Sequence, residues 1–139
     1  MPAIGYRDDC EGVDWARLKR DLAADGFDNG RTPAELERAF RASARAVFAR
    51  DGGRVVGKGR ALSDGVCNAY VVDMWTHSAW RRRGIGRWLL ERLVAPLRGQ
   101  HVYLFTDERE DFYAACGFRP RGTGLERLDG HWLGRFPPR

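Results

Sequence analysis

The stretch "AWRRRGIGRWLLERL", Ala79 to Leu93, concentrates residues that could do chemistry. Arg81, Arg82 and Arg83 stand in a row, followed by Gly84-Ile85-Gly86 and a fourth cation, Arg87. Adjacent like charges repel, and a glycine inside a helix costs about 1 kcal/mol relative to alanine. An anion at a helix start offsets both costs. The first turn of a helix carries unpaired N–H groups and the positive end of the helix dipole. Glycine removes the Cβ atoms that would keep a phosphate from those groups. Guanidinium groups add charge-assisted, bidentate contacts. The pattern fits a phosphate or pyrophosphate cradle as well as an ordinary solvated helix start. It is not a P-loop, because no Gly-Lys-Ser/Thr follows. It is not a dinucleotide fingerprint, because Gly-x-x-Gly is missing.

Other side chains could move protons. Asp73 is the only acid at the end of the β-rich run "VCNAYVVDMWT", where strand alternation sets it on the face opposite Tyr70 and Val72. Tyr113 stands between Phe112 and Ala114 in "DFYAACG", either as a phenolic acid or as core. His77, His101 and His131 are solitary. Asp107, Glu108, Glu110 and Asp111 form an acidic run that would suit a helix N-terminus, or a surface facing a cation.

The elements that must position these groups follow from periodicity. "AIGY" reads as a first strand. Trp15, Leu18 and Leu22 share one helix face, with Asp14 as N-cap and Gly26 as terminator. Thr32, Pro33 and Glu35 open a second helix that runs to about Ala44. Asp51-Gly52-Gly53 marks a hairpin, and Ser63-Asp64-Gly65 a second turn before a strand over 66–76. A third helix ends near Pro96. A strand over 101–106, a short helix over 111–117 and one or two strands within 117–136 complete the order. This is an α/β fold with a mixed sheet.

The chain has 139 residues, enough for a single domain over 1–139. With 43% hydrophobic and 31% charged residues it reads as globular. Its net charge of +5 suits an anionic partner. No basic stripe interleaved with aromatic residues argues for nucleic acid. No apolar run approaches the roughly 20 residues of a membrane span. Cys10, Cys67 and Cys116 form no C-x-x-C pair, so neither a zinc site nor a disulfide framework is indicated. A cytoplasmic protein without a metal is expected.

"RRRGIG" resembles the Arg/Gln-x-x-Gly-x-Gly/Ala signature of the Gcn5-related N-acetyltransferases, the GNAT family. "FYAACGF" (112–118) is similar to the family's Phe-Tyr-x-x-x-Gly-Phe segment, and "YRDDCEGVDWARL" to its first strand and helix. The resemblance implies a mixed, mostly antiparallel sheet with helices on both faces. It implies acetyl-CoA, or another acyl-CoA, as donor and an amine as acceptor, with a homodimer as a possible assembly. Arg81, Arg82, Arg83, Gly84, Ile85, Gly86 and Arg87 would hold the CoA pyrophosphate. Met74, Trp75 and Thr76 would pair with the pantetheine arm, and the Met74 amide would face the thioester oxygen. Tyr113 would be the general acid. The family's usual strand glutamate falls at Tyr70 or Val72, which leaves Asp73, or a water chain, as candidate base. "GFDNGR" (26–31) would lie over the acceptor, with Phe27 and Asp28 meeting it and Trp75 or Trp132 lining the pocket. The missing glutamate also admits an alternative, an acyl-CoA-binding sensor or scaffold without turnover.

Overall fold

Local side-chain chemistry sets the first helices. In the computed structural model, which describes residues 3–137, β1 (Gly5–Arg7) leads into α1 (Trp15–Ala24). The Asp14 carboxylate accepts the Arg17 N–H at 3.0 Å and starts α1. The helix ends as Phe27 N–H donates to Leu22 O and Gly26 N–H to Ala23 O, with Gly26 left-handed at φ +71°. α2 (Pro33–Arg41) opens with reciprocal Thr32 and Glu35 bonds. It stops short of Ala44 because Ser43 folds back, its amide to Phe40 O and its hydroxyl to Ala39 O.

The sheet adds β2 (Arg45–Asp51), β3 (Arg54–Ser63), β4 (Asn68–Thr76) and β5 (His101–Tyr103), in the spatial order β1-β2-β3-β4-β5. Neighbours are antiparallel except β4 and β5, which run parallel and are joined by the crossover helix α3 (Ile85–Val94). β4 starts two residues later than the sequence suggests. The Asp64 carboxylate takes the amides of Val66, Cys67 and Asn68, so those donors are used locally.

Alternation along β3 assigns the two faces. Lys58 points toward α2, with Nζ 5.3 Å from the Phe40 ring centroid. On that face Trp15, Leu18, Leu22, Leu36 and Phe40 pack with Phe48, Val55 and Trp75. Such side chains contribute roughly 1.5–3 kcal/mol each by burial. Gly57 and Gly59 look the other way. A Cβ on Gly57 would lie 2.8 Å from Leu89 Cδ1 and 3.1 Å from Ile85 Cγ2, so α3 rests directly on the bare backbone of β3. Helices therefore cover both faces of a mixed, mostly antiparallel sheet, as expected.

The chain divides into two compact units, Met1–Leu104 with the sheet and Phe105–Arg139 with α4 (Glu110–Ala115). In the second unit Glu110 and Asp111 fill the first turn of α4, where the dipole favours acids. The expected final strands are absent among the described residues. Trp132 and Phe136 form one isolated bridge around a turn in which Leu133 and Gly134 have φ of +55° and +74°. Residues 119–132 are exposed throughout, so no buried face selects an extended register.

Gly57→Ala is expected to lower the unfolding free energy by about 1–3 kcal/mol, since a methyl there overpacks Leu89 and Ile85. Urea denaturation measures it, and an unchanged midpoint would contradict the close approach of α3.

Candidate functional site

β4 carries two irregularities near its end. Its ladder to β5 stops at Tyr70 and Tyr103, and residues 71–76 continue without a β5 partner among the described residues. On the β3 side, Arg60 pairs with Val72 and Lys58 with Trp75. Gly59 thus faces both Asp73 and Met74, which makes a β-bulge. Asp73 sits at φ +64°, a left-handed conformation that Asp and Asn tolerate better than most residues. Met74 lies over the bare Gly59, where a Cβ would come within 2.3 Å of its sulfur.

The bulge overturns the alternation argument for Asp73. Its side chain meets Lys58 and Arg60, on the α1–α2 face shared with Val72. Arg31 grips the carboxylate in a fork, Nη2 to Oδ1 at 2.7 Å and Nη1 to Oδ2 at 3.1 Å. Arg60 Nε donates to Oδ2, and Lys58 Nζ lies 3.5 Å from Oδ1 and 2.8 Å from the Asp73 carbonyl oxygen. Burial pushes the Asp73 carboxyl up, yet the Lys58 charge and the Arg31 fork outweigh it and hold it well below the usual carboxylate range. A carboxylate so held is a poor proton acceptor near neutral pH, so this geometry speaks against Asp73 as base. For Lys58, burial costs more than Asp73 returns, and its ammonium is pulled down to about 8.

The arginine-glycine turn begins directly after β4. His77 Nδ1 accepts the Ala79 amide and starts a single 3-10 turn over Ser78–Trp80. Arg82 and Gly84 are left-handed, at φ +64° and +78°, and Gly84 is the N-cap of α3. No side chain caps that helix and no acid stands in its first turn. Open space lies where a Gly84 Cβ would be. The leading N–H groups of Ile85, Gly86 and Arg87, with the exposed Arg82, Arg83 and Arg87, form an arrangement that accepts an anion. Ile85 and Trp75 contribute backbone only, because both side chains are buried. Arg81 points back, its Nε donating to Thr76 O at 3.0 Å.

Asp25, at the end of α1, escaped the sequence reading. Its Oδ2 accepts from Trp75 Nε1 at 3.0 Å and from the Ser78 amide at 2.9 Å, and lies 3.7 Å from Arg81. Burial raises its carboxyl, but these bonds lower it on balance. Asp25 therefore fastens α1, the end of β4 and the start of the turn to one another. In the 26–31 loop Phe27 is exposed. Asp28 is held by Lys19, at 3.0 and 3.1 Å, and by the Gly30 amide, so its carboxylate braces the loop and is not presented to an acceptor.

Tyr113 lies on α4, in the second unit, with ring centroids of Phe112 and Phe118 at 5.0 and 5.8 Å. Burial pushes its phenol above the ordinary value, with the Cys116 thiol adding to the rise and Arg109 opposing it. The hydroxyl is protonated at neutral pH, the state a general acid needs.

Asp73→Asn removes the one anion beneath three cations and is expected to cost about 3–5 kcal/mol, measured by urea unfolding at neutral pH. Asp73 and Asp25 are more acidic folded than unfolded. The stability they add is full above about pH 4 and is lost as pH falls toward their folded values. A variant as stable as wild type would contradict the burial of this charge cluster.

Residues 42–120 match the model of the acetyltransferase (GNAT) domain. Serotonin N-acetyltransferase 2, a chloroplastic protein of Oryza sativa subsp. japonica, is 36% identical over 116 residues, covering 77% of this chain and 57% of that protein. The chain spans about half the length of the curated relatives it matches. A solved structure from Xanthomonas campestris pv. campestris, assigned to the GNAT family, superposes with a TM-score of 0.79 at 26% identity, covering 93% of this chain and 95% of that one. A Deinococcus radiodurans R1 structure named as an acetyltransferase gives 0.76 at 28%, covering 91% and 93%. With the signature turn at the start of α3 and a family match over more than half its length, this chain belongs to the GNAT acetyltransferase family.

Proposed function

We propose that this chain transfers an acetyl group from acetyl-CoA to a primary amine by direct attack of the amine on the thioester. The observation that carries the reading is the uncapped start of α3, entered through Gly84 with open space at its Cβ position, following the end of β4 that has no β5 partner among the described residues. The Gly84–Arg87 amides take the pyrophosphate, with Arg82, Arg83 and Arg87 neutralising its charge. Arg81 acts differently from the other arginines and braces the Thr76 carbonyl. The free edge over Met74–Thr76 pairs with the pantetheine arm, and the Met74 N–H meets the thioester oxygen, where charge develops during attack.

The acceptor must arrive neutral, although an alkylamine has a pKa near 10.4 in water. With Asp73 tied to cations, no carboxylate base is assigned, and a water chain carries the proton away. Tyr113 protonates the leaving thiolate. The name of the rice relative points to small amines as the first acceptors to test. On this reading residues 1–139 form one acetyltransferase domain, since the family match runs across the division between Leu104 and Phe105. The engaged state of Asp73 also favours a second reading, a domain that binds acyl-CoA without turnover.

Calorimetry with acetyl-CoA is expected to give micromolar affinity for wild type and at least a tenfold loss, about 1.4 kcal/mol, for Arg82→Glu/Gly84→Glu. Equal affinities would overturn the cradle. With an amine panel, Tyr113→Phe is expected to reduce turnover by about 10²-fold or more while Kd for acetyl-CoA stays within about twofold. An undiminished rate would remove Tyr113 from the mechanism, and binding by wild type without transfer to any amine would select the second reading.

A further inference from the structure

We propose that Lys58 is a positioning residue for acyl transfer: it grips the Asp73 carbonyl and so fixes the following N–H, that of Met74, as the donor to the thioester oxygen. The proposal rests on the function proposed above. It starts from a peptide shared by two residues. The Asp73 carbonyl and the Met74 N–H belong to one planar trans unit and point in opposite directions. Lys58 Nζ lies 2.8 Å from that carbonyl oxygen, so the Met74 N–H is aimed away from Lys58.

Such a peptide needs holding. In a regular ladder both of its polar groups would bond to neighbouring strands. Here Gly59 faces two residues, and the extra one loses its place in the ladder. Asp73 is left-handed, a strained state that persists only when its surroundings over-determine it. The surroundings do so. Arg31, from the loop before α2, and Arg60, from β3, fix the Asp73 carboxylate, while Lys58 fixes its carbonyl. From α2 the Phe40 ring lies 5.3 Å from the ammonium.

A neutral donor would also satisfy the Asp73 carbonyl. A buried ammonium is expensive, while an apolar side chain of the same length would avoid that cost and leave the carbonyl without this bond. A cation on a carbonyl oxygen polarises the whole peptide and strengthens its N–H as a donor, most of all in a low-dielectric interior. That gives the charge of Lys58 a use that packing does not.

Infrared spectroscopy of acetyl-CoA carrying ¹³C at the thioester carbonyl tests this without a known acceptor. Bound to wild type, the carbonyl band should shift to lower frequency than in free acetyl-CoA. Lys58→Met should lose most of that shift while Kd for CoA stays within about twofold, because the pyrophosphate cradle is untouched. Lys58→Arg should restore part of it. If Lys58→Met does not fold, wild type supplies the second arm. As Lys58 loses its proton near pH 8, with Asp73, Arg31 and Arg60 as the charged groups facing it, the band should return toward its free position between about pH 7 and 9.5. An unshifted band in wild type, a full shift in folded Lys58→Met, or a band indifferent to that pH rise would each overturn the proposal and leave the cradle standing. Failure of wild type to bind acetyl-CoA would remove the functional reading itself.

Discussion

Asp73 is one carboxylate drawn on by three cations, and much of the larger unit depends on that convergence. Arg31 arrives from the loop between α1 and α2, Lys58 and Arg60 from β3, and Asp73 from a bulge in β4. Side-chain exposures of 8%, 0%, 15% and 11% for Arg31, Lys58, Arg60 and Asp73 leave little water to screen the charges. Buried ion clusters rarely add net stability over an apolar core, because desolvation consumes the Coulombic gain. Their effect is on conformation, since any arrangement that parts the cluster strands charge in the interior. The cluster therefore holds a left-handed residue in the middle of a strand and pins the 26–31 loop over it.

The opposite face of the sheet is organised by close approach. Gly57 and Gly59 present no side chains, so α3 and Met74 lie against the backbone of β3. Gly57 also pairs with Thr76, the last residue of β4, and Ile85, the first residue of α3, packs on Gly57. The end of β4 and the start of α3 are thus set by the same glycine. Asp25 and Arg81 fasten the intervening turn, through Trp75, Ser78 and Thr76. The end of β4 and the uncapped start of α3 are thus held in one fixed relation.

What the sequence made legible was local. Asp14 caps α1, Thr32 and Glu35 form their box, and the arginine-glycine run opens α3, because each depends on residues within a turn of one another. The bulge was not legible. It depends on Gly59 meeting Met74 and on Arg31 reaching Asp73 across 42 positions of sequence. Strand alternation, which ignores bulges, put Asp73 on the wrong face. One signal was available in "RVVGKGRAL". A lysine at a core-facing strand position between two glycines needs a buried partner, and Asp73 is that partner. The late strands failed for the converse reason, since residues 119–132 are exposed and no buried face selects an extended register.

Amide NMR of ¹⁵N-labelled protein titrated with acetyl-CoA tests the central claim most directly, namely that the bulged end of β4 and the start of α3 face one ligand. The account predicts that the largest shifts fall on the amides of 72–76 and 84–88, saturating together at a single Kd. Saturating binding with shifts elsewhere, or with 84–88 moving while 72–76 stay still, would contradict it.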